Sequence, residues 1–265
     1  MVTGTHKDWR IGDGVQIHPT ATVNVEHLEV EDRTVIGAYA VVEGRDVRLG
    51  REAWIKEYTQ IGGGSCFSKH SFLQVGDFFH MGRFSIINTA RAVTIGDEVG
   101  LGSHTCIFTH GAYLSEIDGF PVQFAPVTVG SRVWLPQATV LPGVTIGSDV
   151  VVAAGSLVRS NLPSGVLAGG IPARIIHEHA YPQRMNALRT ADYLKQLIED
   201  DLELSVYSIR GFRCHMQDTV FDLRQKSIKG KVTEESEQLR NEFRRHGIRF
   251  KCTPKDGQYQ NWNHA

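Results

Sequence analysis

From Val127 to Arg174 the chain reads VTVGSRVWLPQATVLPGVTIGSDVVVAAGSLVRSNLPSGVLAGGIPAR, and within it an aliphatic residue returns at nearly constant intervals. Val129, Leu135, Leu141, Ile146, Val152 and Val158 follow one another in steps of six, with a single step of five. A small or turn-forming residue follows most of them: Gly130, Pro136, Pro142, Gly147 and Ala153. This period matches neither the spacing of an amphipathic helix nor the alternation of a half-buried strand. It is the period of a parallel β-helix, in which each coil buries one residue per short strand and small residues sit where coils stack closely.

The same spacing opens the chain, at Ile11, Ile17 and Val23, then Val30, Ile36 and Val42. After a slip it continues through Leu49, Ile55, Ile61, Phe67 and Leu73, and after another through Val75, Met81 and Ile87. Ile95, Leu101 and Ile107 lead to the one large interruption, THGAYLSEIDGFPVQFAPV, about residues 109–127. Three hexapeptides per triangular coil predict about seven or eight coils, and a run of near-matches this long excludes chance. The interruption is expected to leave one corner as a loop; its aromatic residues Tyr113, Phe120 and Phe124 would be costly to leave in water, so it is expected to pack on something.

Past Arg174 the period stops. Residues 181–204 show apolar positions at three- and four-residue spacing (Met185, Leu188, Tyr193, Leu194, Leu197, Ile198) and predict a helix. Strand-like runs follow at 206–214 and 219–223, then a helix at 234–245 with an acidic start and a basic end, stopped by Gly247. A last strand is predicted at 248–252, and the polar end DGQYQNWNHA predicts no element. The expected organisation is a solenoid over residues 1–177 and a small α+β module over 178–265.

Composition narrows the function classes. A chain of 265 residues with 41% hydrophobic content and a net charge of −1 has the character of a soluble globular protein, with no charge basis for nucleic-acid or membrane-surface binding. No stretch approaches the length of a membrane span, and the opening residues carry no signal-peptide core, so a cytoplasmic protein is expected. Four cysteines (Cys66, Cys106, Cys214, Cys252) at unrelated spacings read as free thiols. Among the twelve histidines His110 stands apart, because it opens the interruption on the wall the loop must cover. An imidazole there is a natural general base at neutral pH.

The stretches IGDEVGLGSHTCIFTHGAYL and PVTVGSRVWLPQATVLPGVTIGSDVVVAAGSLVRSNLPSGVLAGGIPARII resemble the hexapeptide-repeat acyltransferases, nearest to the galactoside, maltose and xenobiotic O-acetyltransferase group. The likeness is close over residues 95–177 and extends to 11–94 by repeat character. It rests on a His opening a loop extension, a Val-Trp in the next coil, the LPGVTIG step and a closing G-x-P-A-R. The resemblance implies a left-handed parallel β-helix that assembles as a homotrimer, with the site in the cleft between neighbouring prisms. It implies acetyl transfer from acetyl-CoA to a sugar or glycan hydroxyl, with His110 as the base and a backbone N–H as the oxyanion donor. Trp134, Ala154, Gly155, Ser156, Arg159, Gly169 and Arg174 match positions along the coenzyme A arm, Arg174 and Arg159 as phosphate partners.

Asn88, Tyr113 and Glu116 are the candidates for contacting the acceptor. Asn88 lies near the family's acceptor-binding Asn, although an alignment through Ile95 places Gly82 there. Glu116 or Asp118 could orient His110. The loop reads Phe108-Thr109-His110-Gly111 where the group has T-x-H-P or D-H-x-H, and the segment after 181 replaces the group's N-terminal helical segment.

Three other readings compete. An N-acetyltransferase acting on a nucleotide-linked amino sugar would use the same solenoid, with the C-terminal module holding the nucleotide. A γ-class carbonic anhydrase needs three His around zinc, but His80, His104 and His110 fall at the wrong gaps, so no metal is expected. A purely structural solenoid would not need the loop His, the Trp and the G-x-P-A-R ending together.

Overall fold

The computed structural model describes residues 8–202 and 207–262 and divides into two units, Met1–Pro182 and Gln183–Ala265. In the first unit the chain pairs with itself one turn later, in parallel, along three successive faces. The first face runs from Asp8–Ile11 through the second halves of Thr22–Val30 and Val41–Leu49, then Leu73–Val75, Val93–Ile95, Val127–Val129 and Thr145–Ile146. The second face stacks Gln16–Ile17, Val35–Ile36, Trp54–Ile55, His80–Met81, Gly100–Leu101, Val133–Leu135, Val150–Val152 and Leu167–Gly170. The third face begins with the first halves of Thr22–Val30 and Val41–Leu49, followed by Gln60–Gly62, Ile86–Asn88, Cys106–Ile107, Thr139–Val140 and Leu157–Val158. This is a left-handed parallel β-helix, closed at its far end by the antiparallel strand Ala173–His177.

The periodic aliphatics form its core: Ile36, Val42, Leu49, Ile55, Ile61, Ile87, Leu101, Ile107, Leu135, Val152 and Val158 are buried. Burial of this column is the main driving force, at about 1.5–3 kcal/mol for each large side chain. The small residues after the anchors are enforced by coil spacing. A Cβ on Gly50 would lie 2.4 Å from the carbonyl carbon of Gly76 in the next coil. At the corner between the second and third faces four residues with left-handed backbone (Tyr39, Tyr58, Phe84, His104) stack ring on ring, with centroids 5.1–5.4 Å apart.

Two expectations about the period are corrected. Val140, not Leu141, points into the core, so the short step falls between Leu135 and Val140. Phe67 is not an anchor but 45% exposed, because residues 63–72 leave the coil as a second insertion. It lies at the same corner, third face to first, as the loop at 108–126. The coil between them turns that corner tightly, through Thr89 to Ala92, as a later coil does through residues 141–144.

The second unit has its own core of Leu194, Leu197, Ile198, Cys214, Met216, Phe221, Ile228, Leu239, Phe243, Phe250, Cys252 and Tyr259. Helix α1 spans Ala187–Asp201 and starts at Asn186, whose side chain accepts from the Arg189 N–H at 3.0 Å. Met185 precedes it and Leu188 is exposed, so the buried face is narrower than predicted. Helix α2, Glu234–Arg245, opens on a Thr233/Ser236 capping box. The predicted strand at 206–214 is instead a hairpin, Ser208–Arg210 with Arg213–Met216, turned at Gly211; Thr219–Asp222 and Ser227–Lys229 complete a four-stranded antiparallel sheet. The last strand begins only at Cys252, and the polar end pairs with it as Gln258–Asn261, burying Tyr259. The predicted residues Glu203, Leu204 and Val206, and the final three, lie outside the described residues.

Candidate active site

The two insertions make a notch whose floor is the tight corner after Asn88. Asn88 ends its strand on the third face with its side chain buried. Its amide is held in one orientation: Nδ2 donates to the Gly62 carbonyl at 3.2 Å, and the Thr109 hydroxyl donates to Oδ1 at 2.7 Å. Oδ1 therefore accepts the His110 Nδ1 proton, at 2.8 Å. With Nδ1–H donating, Nε2 carries the lone pair. It faces the insertion at residues 63–72, where a Cβ on Gly64 would lie 3.6 Å from it.

His110 is further fixed by the base of its own loop. His110–Gly111 pairs antiparallel with Gln123–Phe124, and the Phe124 ring stacks on the imidazole at 5.5 Å with 16° between planes. The Arg91 guanidinium lies over the same Phe124 ring at 4.7 Å. Gln123 anchors the loop to the next coil by donating to the Pro142 carbonyl at 3.2 Å. The result is a held imidazole with one basic nitrogen directed into a notch, the arrangement required to take a proton from a bound hydroxyl.

The other predicted residues divide by place. Glu116 and Asp118 lie on an exposed 3₁₀ turn, Glu116–Asp118, and the partner on Nδ1 is Asn88, so neither acid is the orienting group. Asn88 itself is buried against His110 rather than presented to an acceptor. Tyr113 is 98% and Ile117 99% exposed, so among the described residues the loop tip is uncovered; the expected packing is met at the loop base, where Phe124 lies on His110 and under Arg91, and not at the tip.

Trp134 stands on the outside of the second face, its indole lying on Gly100, whose Cβ would come within 2.5 Å of the ring. Ala154 and Gly155 are exposed at the corner after that face. Ser156 is buried there, its Oγ donating to the Ala153 carbonyl at 2.6 Å and accepting from the Gly170 N–H at 3.0 Å. The Ser156 hydroxyl is thus a corner brace. Gly169 and Arg174 face each other across the closing strand pair. These residues cluster together, but on the face opposite the corner that bears His110. Arg159 alone lies at the His110 corner, two coils on. His80 sits on the second face and His104 in the aromatic corner column, so the chain does not bring them together with His110.

Sequence reasoning missed the 63–72 insertion, the Asn88 clamp, Phe124 and Arg91. The Gly62-Gly63-Gly64 run was the available signal, since a corner that needs such backbone freedom marks a departure from the coil.

No family model matches the chain. It is 31% identical over 146 residues to the galactoside O-acetyltransferase of Escherichia coli K12, covering 48% of this chain and 68% of that protein. It is 32% identical over 119 residues to the putative lipopolysaccharide biosynthesis O-acetyl transferase WbbJ of the same organism, covering 43% and 61%. The chain thus spans about three fifths to two thirds of these relatives' length. Among solved structures, the hexapeptide-repeat acetyltransferase VCA0836 of Vibrio cholerae shares 23% identity at a TM-score of 0.36, over 64% of this chain and 73% of that one. The chain belongs to the hexapeptide-repeat acetyltransferase family that includes the galactoside O-acetyltransferase.

Proposed function

We propose that this protein is an acetyl-CoA-dependent O-acetyltransferase acting on a hydroxyl of a sugar or polysaccharide precursor. The observation that carries the reading is the Asn88-clamped His110, whose free Nε2 opens into the notch. His110 takes the acceptor hydroxyl proton as that oxygen attacks the thioester carbonyl. The tetrahedral oxyanion then collapses, the C–S bond breaks, and the proton passes to the departing thiolate. Relatives named for galactoside and lipopolysaccharide O-acetylation favour a saccharide acceptor.

We further propose a cytoplasmic homotrimer in which one subunit's His110 corner meets the second face of its neighbour. The placement of Trp134, Ala154, Gly155, Gly169 and Arg174 opposite His110 supports this, because one subunit does not bring the two halves together. The exposed Tyr113, Leu114, Ile117 and Phe120 give the loop tip an apolar surface to bury in that contact. Thiol release from acetyl-CoA over a panel of sugars, nucleotide sugars and amino sugars tests the chemistry. Turnover on hydroxyls that falls about 10²-fold or more in His110→Ala supports it. Turnover on amines alone would replace it with N-acetylation of an amino sugar. Mixing His110→Ala subunits with Trp134→Ala subunits, at acetyl-CoA well below the KM of the Trp134 variant, should raise activity above that of either alone if sites are shared, and no gain refutes the sharing.

A further inference from the structure

The four-stranded sheet of the second unit turns Cys214, Met216, Phe221 and Ile228 into the core. Its outer face carries Arg210, Arg213, His215, Asp222, Ser227 and Lys229. In register, Arg210 stands directly opposite Arg213. Like charges paired across strands destabilise a sheet, so folding alone does not account for them.

Only Arg213 is compensated: its Nε donates to Asp222 Oδ2 at 2.8 Å. Asp222 Oδ1 is occupied by the N–H groups of Arg224 and Gln225, at 3.1 and 2.9 Å. Among the described residues, Arg210, Arg224 and Lys229 make no ion pair; the Arg224 guanidinium lies over the Phe212 ring at 5.0 Å. A depression of about 430 Å³ is lined by Arg210, Phe212, Arg213, Asp222 and Arg224. A second, of about 230 Å³, shares Arg213, Asp222 and Gln225 with it and adds His215, Ser227 and Lys229. Ser227 Oγ is buried in its wall with no hydrogen-bond partner. A buried hydroxyl left unpaired is costly, and a ligand oxygen would satisfy it.

We propose that this face is a binding site for a diphosphate group, distinct from the acetyl-transfer notch. Four cations face one carboxylate here, although the whole chain carries a net charge of −1. Planar guanidinium forks match phosphate oxygens bidentately, and three forks spread over two joined depressions exceed what one phosphate can engage. The diphosphate belongs either to a nucleoside diphosphate, free or sugar-linked, or to free pyrophosphate.

The test is calorimetric titration of the full chain with pyrophosphate, orthophosphate and uridine diphosphate at fixed ionic strength, with and without saturating coenzyme A. Pyrophosphate and uridine diphosphate should bind more tightly than orthophosphate, and coenzyme A should not displace them. Arg210→Ser and Arg224→Ser should each weaken binding about tenfold, the size of one lost charge-assisted contact. Arg210→Lys, which keeps charge without the fork, should fall between, and Lys255→Ser should change nothing. Tighter binding of uridine diphosphate than pyrophosphate assigns the nucleotide as the source, and equal binding assigns the diphosphate alone. The proposal fails if coenzyme A abolishes the binding, if the arginine variants melt like wild type yet bind equally well, or if no diphosphate binds at millimolar concentration.

Discussion

Asn88→Ala isolates the clamp on the proposed base. The substitution removes the acceptor of the 2.8 Å bond from His110 Nδ1 at a site that is 4% exposed, where water cannot readily replace it. When His110 takes the acceptor proton, Nδ1–H becomes a charge-assisted donor, and such a bond is worth about 1.5–3 kcal/mol. Its loss should lower kcat by about 10- to 150-fold. KM for acetyl-CoA should hold, since the Asn88 side chain is buried behind the imidazole. The Thr109 hydroxyl and the Gly62 carbonyl also lose a partner, at about 1–3 kcal/mol of stability. Steady-state thiol release should therefore be measured well below the variant's own Tm. The double variant with His110→Ala provides the decisive comparison. If Asn88 acts only through His110, adding Asn88→Ala to His110→Ala costs no further rate. Multiplicative losses, or an unchanged kcat in the single variant, would refute the clamp.

Other expectations follow from the same structure. Gly100→Ala places a Cβ 2.5 Å from the Trp134 ring and must lift the indole off the second face; KM for acetyl-CoA should rise while Tm moves little. Gly50→Ala drives a Cβ into the backbone of the next coil and should cost about 1–3 kcal/mol, read by denaturant unfolding, with no direct effect on acetyl transfer. The Asp222 carboxyl is held below its ordinary value: burial pushes it up, but bonds from the Gln225 N–H, the Arg213 guanidinium and the Arg224 N–H outweigh that. A lowered carboxyl stabilises the fold above its unfolded value near ~3.9 and loses this as pH falls through the lower folded value. Melting of the second unit should therefore drop below about pH 4 in wild type, and Asp222→Asn should flatten that limb.

The coil was legible in the sequence because it is a local repeat. A residue that must point inward on every short strand, and a glycine wherever the next coil's backbone passes, leave a period that needs no long-range information. Helix α2 was legible for the same reason, its acidic start, basic end and stopping Gly247 lying within or beside its own length. The second insertion was not, since Phe67 stands six residues after Ile61 and six before Leu73 and mimics the repeat while facing solvent. The hairpin at 208–216 was read as one strand because its turn at Gly211 sits inside an uninterrupted β-prone run. His110 could be singled out by position and resemblance, but Asn88, twenty-two residues away and one coil below, could not. What only the tertiary structure decided is which side of the prism each residue occupies. Winding brings His110, Asn88 and Gly64 to one corner and carries Trp134 and Arg174 to the opposite face, because side-chain direction and corner are set by the accumulated turn of the whole coil rather than by spacing along the chain.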